Sequence, residues 1–166
     1  TNQYLQYIEL MQELDLDGLR EFADLEPDLK GLARYQLLFG ELLRLHGDEM
    51  AAGLAFQRAA VTDPSDPLPL LFLGNQAMED GDVARAIQQY AAVIELDPDN
   101  AYAFGNLAYA YDQTYRFQEG DEARSRAREL AGQRFATLGV GGRNSRVRYP
   151  RLGSEDVAAL QTEIPP

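Results

Sequence analysis

The sequence predicts an all-α chain of antiparallel helix pairs, followed by a mainly non-helical C-terminal arm. Three observations predict this. Apolar residues recur at three- and four-residue spacing, the period of a helix with one buried face. Breaks of one kind, Gly47-Asp48 and Gly81-Asp82, alternate with breaks of another, Asp63-Pro64 and Asp97-Pro98. Each kind returns after 34 residues, and a fixed period of this length marks a repeat architecture.

The elements follow in order. Residues 1–32 predict a degenerate helical pair, with one stripe at Tyr4, Leu5, Ile8 and Met11 and another at Leu16, Leu19, Phe22 and Leu25. Packing on the next pair is the first reading of the Tyr4 stripe; a free amphipathic helix that dimerises is the other. Three frames come next without a gap: 33–66, 67–100 and 101–134. Residues 1–134 are therefore read as one repeat domain. In the second frame Leu70, Leu73, Gly74 and Ala77 share a face of a first helix. After Gly81-Asp82, Ala86, Ile87, Tyr90, Val93 and Ile94 recur on a second. That helix stops at Asp97-Pro98, because proline disfavours helical geometry in the residue before it. Asp66 and Asn100 are predicted caps for the helices that follow, and Pro67 suits a first helical position.

The third frame departs from the other two. Tyr115-Arg116 stands where they have Gly-Asp, and Arg124 and Arg128 stand where the second frame has Tyr90 and Ile94. A terminal repeat has no following neighbour, so its outer face is expected to turn polar. Residues 135–166 carry Gly139, Gly141, Gly142, Pro150 and Gly153, which leave no room for a long helix. Val147 and Tyr149 alternate with Arg146, Arg148 and Arg151, an extended pattern. Ser154 before Glu155-Asp156 is a helix-start signal. An extended arm packing on the repeats, or on a second copy of the chain, is the expectation; disorder is the alternative.

The period, and the residues at matching positions, resemble the tetratricopeptide repeat. Gly40, Gly74 and Ala108 fall at the small eighth position; Ala52, Ala86 and Gly120 at the small twentieth; Phe56, Tyr90 and Arg124 at the twenty-fourth. Small residues at helix crossings let helix axes approach to about 8–10 Å. The resemblance covers residues 33–134. It implies a right-handed superhelix whose first helices line a concave groove. The groove positions it implies are Arg34, Leu37, Glu41, Arg44 and Leu45, then Leu68, Leu71, Asn75, Met78 and Glu79, then Tyr102, Gly105, Tyr109, Asp112 and Gln113. Asn75 offers amide hydrogen bonds to a peptide backbone. Tyr102 and Tyr109 offer rigid aromatic area with a polar tip. This mixture suits a short peptide with apolar and polar side chains. It does not suit the family's carboxylate clamp, since Arg34 and Arg44 are opposed by Glu41, Glu79 and Asp112.

Composition narrows the function classes. Net charge is −12, and it is uneven: residues 1–115 hold 20 acids and 6 bases, residues 116–151 hold 4 acids and 9 bases. The acidic body argues against nucleic acid, which needs clustered positive charge. The absence of cysteine excludes disulfides and thiol chemistry, and with His46 as the single histidine, on a turn, a zinc site has poor candidates. Gly139–Gly142 lacks the context of a phosphate loop, and Asp97–Asn100 lacks the glycine and glutamate of a calcium loop. No catalytic constellation, metal site or cofactor is expected. No apolar run is long enough to span a membrane. The opening residues have no initiator Met and do not read as a signal peptide, which is compatible with a tag, signal or anchor removed upstream.

The expected function is a non-enzymatic protein-interaction scaffold, an adaptor that holds a peptide or protein segment in its groove. The alternative is a self-assembling structural protein whose arm docks on another copy, giving a homo-oligomer. Such domains resemble assembly and secretion accessories of bacteria. Arg outnumbers Lys fourteen to one, which fits a GC-rich genome. The expected setting is soluble, cytoplasmic or periplasmic.

Overall fold

The computed structural model describes residues 17–18, 33–132, 147 and 149–150. Among them run six helices in order: α1 (Ala33–Leu45), α2 (Glu49–Thr62), α3 (Pro67–Glu79), α4 (Val83–Leu96), α5 (Ala101–Gln113) and α6 (Phe117–Ala131). Asp17 and Gly18 are also helical. The rest of the expected pair at 1–32, and of the arm at 135–166, lies outside the described residues. The described residues form two compact units. One holds α1 and α2; the other holds α3 to α6 with Val147, Tyr149 and Pro150.

The predicted breaks fall between helices. Asp66 caps α3 by accepting a hydrogen bond from Leu68 N at 2.9 Å, with Pro67 in the first turn. Asn100 caps α5 through Ala103 N, also at 2.9 Å. Within each pair the turn has one design. Asp48 N donates to Leu43 O, Asp82 N to Ala77 O and Arg116 N to Tyr111 O, at 2.8–2.9 Å. These are the six-to-one bonds that close a helix through a left-handed residue. That residue is Gly47 (φ 84°), Gly81 (φ 81°) and, in the third pair, Tyr115 (φ 59°). The turn therefore survives the loss of its glycine, with a non-glycine residue in a strained region. The second half of the Gly-Asp signal is lost outright. Asp48 and Asp82 cap α2 and α4 with their side chains, whereas Arg116 makes no side-chain cap to α6.

The crossings show why the eighth position is small. A Cβ on Gly74 would lie 2.6 Å from Tyr90 Cε1, and one on Gly40 would lie 2.7 Å from Phe56 Cε1. Both rings are fully buried. The glycine thus makes room for the aromatic ring sixteen residues later, as well as for the partner helix. In the third pair the ring is replaced by Arg124, and the eighth position is Ala108. The close approach moves to Gly120, whose Cβ would stand 2.6 Å from Asp112 Oδ1.

Within the unit of α1 and α2, Leu37, Leu42, Leu43, Phe56 and Ala59 are buried. Thr62 Oγ1 lies 3.1 Å from Gln36 Oε1, so the end of α2 returns to the start of α1. In the other unit the core joins Leu71 and Ala77 of α3, Ala86, Tyr90 and Val93 of α4, and Ala103, Leu107 and Ala110 of α5. Helix α3 is buried on more sides than its predicted stripe: Leu71, Phe72, Leu73, Gly74 and Asn75 are consecutive buried residues. An element covered on several faces reads as continuously apolar rather than striped.

The expected polar outer face of α6 is present at Arg128, which is exposed, but not at Arg124. Arg124 is 4% exposed and forms ion pairs with Asp112 of α5 and Asp121 of its own helix. Its position faces the crossing, as Tyr90 does one repeat earlier. The charge is satisfied inside the pair rather than by water.

Candidate peptide-binding face

Phe72, Asn75 and Glu79 fall at i, i+3 and i+7 on α3, so they share one face. At its centre Asn75 is fully buried. Its Oδ1 accepts hydrogen bonds from Tyr90 Oη and from Asn106 Nδ2, each at 2.7 Å. One amide oxygen thereby ties α3 to both α4 and α5. A carbonyl oxygen has two lone pairs, and both are used. Burial is the main reason the Tyr90 phenol is held well above its ordinary pKa, with the nearby Tyr149 and Glu79 adding to it. The phenol therefore stays a neutral donor, as the bond to Asn75 needs.

The extended pattern at Val147 and Tyr149 meets this face. The Tyr149 ring packs on Phe72 with centroids 5.3 Å apart and planes tilted by 49°. Its hydroxyl donates to Glu79 Oε2 at 3.0 Å. Val147 packs on the core shared by α3, α4 and α5.

The residues expected in a groove divide by burial. Leu37, Leu71 and Asn75 are fully buried and support the helices from beneath. Arg44 makes a two-bond ion pair with Glu41, Nε to Oε2 at 2.7 Å and Nη2 to Oε1 at 2.8 Å. Asp112 is engaged by Arg124, its side chain only 9% exposed. Arg34, Met78, Tyr102 and Tyr109 are half-buried, and Glu79 is exposed. Phe72, Asn106 and Arg124 were not expected at the site. The run of large apolar residues from Leu70 to Leu73 was the signal for Phe72: four consecutive residues cannot all lie on one helical stripe.

Comparison with known proteins agrees with this architecture. The family model described as "TPR repeat" matches residues 74–114, from the middle of α3 through α5. Two solved structures of MamA share the fold at 20% identity. One covers 81% of this chain and 72% of its own with a TM-score of 0.63. The other covers 78% and 75% with a TM-score of 0.65. No curated protein matches the chain. Among the described residues no helix is long and apolar enough to cross a membrane. The 34-residue period and the ring-over-glycine crossings agree with that family model, so residues 74–114 read as tetratricopeptide repeat and the described helices share the helical-repeat fold of the MamA structures.

Proposed function

We propose that the chain is a non-catalytic adaptor that holds an extended segment of a protein partner against the first helices of its repeats. The observation that carries this reading is the seating of Val147 on the core of α3, α4 and α5 and of Tyr149 on α3, which supplies an example of side chains held there. Contacts to the partner would come from Met78 and Glu79 on α3 and from Tyr102 and Tyr109 on α5. In the unit of α1 and α2, Arg34, Glu41 and Arg44 stand at the corresponding repeat positions, and any contact they make to a partner is proposed for that unit by itself. Leu37, Leu71, Asn75 and Asp112 act from below, fixing the surface rather than touching the ligand. Buried supports and half-buried aromatic contacts together resemble the anchors that dominate interface energies.

Tyr109→Ala tests the reading. It removes a half-buried ring without opening the core. A partner identified by affinity capture should bind this variant about tenfold more weakly, or about 1.4 kcal/mol. The thermal midpoint should stay within about 3 °C of the parent, since surface substitutions are usually within ~0.5 kcal/mol. Equal affinity for parent and variant, by titration calorimetry, would remove the α5 face from the interface.

A further inference from the structure

We infer that the stretch carrying Val147 and Tyr149 is an internal competitor for the α3 face, and that the partner it excludes presents an aliphatic-x-Tyr segment of its own. This rests on the proposal that the face binds a partner segment, and it names that segment's chemistry and its control. Three sites of recognition are visible. The aliphatic side chain of Val147 meets the core cluster of α3, α4 and α5. The ring of Tyr149 meets Phe72. Its hydroxyl meets Glu79, a contact that phenylalanine cannot make. Backbone recognition through the Asn75 oxygen is closed, because Tyr90 and Asn106 already occupy it. Selection therefore runs through side chains at positions i and i+2.

Charge supports the same ligand. The α3–α4 turn carries Glu79, Asp80 and Asp82, all exposed, while the arm's sequence around Val147 and Tyr149 is Arg-rich. A partner segment with basic neighbours matches this surface as the arm does. Val147, Tyr149 and Pro150 are each only half-buried. A contact of this size, made by a tethered segment, lowers the fraction of open face and so lowers a partner's apparent affinity by the same factor. A partner bearing the same side chains would then displace it.

The probe is a fluorescein-labelled peptide of residues 144–151, titrated by anisotropy into the full chain. Tyr149→Ala should bind it at least about tenfold more tightly than the parent, because the competitor is lost. Tyr149→Phe, which keeps the ring on Phe72, should give a smaller gain and guards against misfolding of the alanine variant. Adding Glu79→Gln to Tyr149→Ala should weaken the peptide several-fold, as should replacing the peptide's tyrosine by phenylalanine. Equal affinity in parent and Tyr149→Ala would overturn the competition. Absence of binding to Tyr149→Ala, or binding indifferent to Glu79→Gln, would overturn the assigned ligand. Shielding of the parent that fades on dilution would mean that the arm comes from a second copy, which also overturns an internal competitor. None of these outcomes depends on Tyr109 of α5, so failure here is separable from failure of the adaptor reading.

Discussion

Asp112 and Arg124 show how one substitution in a repeat recruits others. Where the second pair buries Tyr90 against Gly74, the third buries a guanidinium beside Asp112 and Asp121. A carboxylate and a guanidinium nine-tenths buried are favourable only while both are present. Arg124 Nε is buried without a hydrogen-bond partner among the described residues, so one donor of the guanidinium is left unsatisfied although its charge is paired. Asp112→Ala should therefore cost about 2–4 kcal/mol in denaturant unfolding, while Arg124→Met, which removes the charge and keeps the volume, should cost under about 1 kcal/mol. A smaller loss for Asp112→Ala than for Arg124→Met would show that the pair contributes nothing as a pair. The groove position assigned to Asp112 by the repeat pattern was legible in the sequence. Its engagement was not, because Arg124 lies on another helix and only the crossing brings them together.

At the scale of the element, the turn between α5 and α6 keeps its geometry after losing both residues that signal it. Tyr115 adopts the left-handed conformation that Gly81 and Gly47 adopt one and two repeats earlier. That conformation costs an L-residue roughly 1–2 kcal/mol. Glycine avoids the cost but loses more entropy on folding. Tyr115→Gly should therefore raise stability by a net of about 0.5–1 kcal/mol, read from the denaturation midpoint. An unchanged or lower midpoint would mean that the edge-to-face contact with Phe117, at 6.1 Å, offsets the strain. Arg116 has no acceptor with which to cap and makes other contacts instead. Its guanidinium lies 4.4 Å from the Tyr111 ring centre and bonds Glu119 at 3.0 Å. Glu119 is accordingly held below the ordinary glutamate pKa, first by its own backbone amide at the helix start and then by Arg116. The position of this turn could be read from the period alone. Its strain could not, since the sequence there gives no turn-forming residue.

The whole molecule carries a net charge of −12, concentrated in residues 1–115. Self-repulsion of this kind opposes compaction and is screened by salt. The thermal midpoint should rise by a few degrees between about 0.01 M and 0.3 M salt, where the Debye length falls from ~30 Å to under ~10 Å. A falling midpoint would instead assign stability to attraction between the basic segment and the acidic body.

The sequence by itself determined the helices, their breaks and the capping residues Asp66 and Asn100. These depend on local backbone preferences, and each is written within a few residues of where it acts. It also determined the repeat, because the small and aromatic positions recur on a fixed count. Only the tertiary structure decided which of the residues expected in a groove are exposed and which are buried. Asn75 looked like a free amide until Tyr90 and Asn106 closed on it; Arg124 looked like a solvent-facing charge until Asp112 was beside it. The seating of Tyr149 on Phe72 and Glu79 was likewise absent from any local pattern. Alternation predicted an extended segment, but where that segment lies is set by contacts between residues 70 or more apart, which spacing along the chain does not encode.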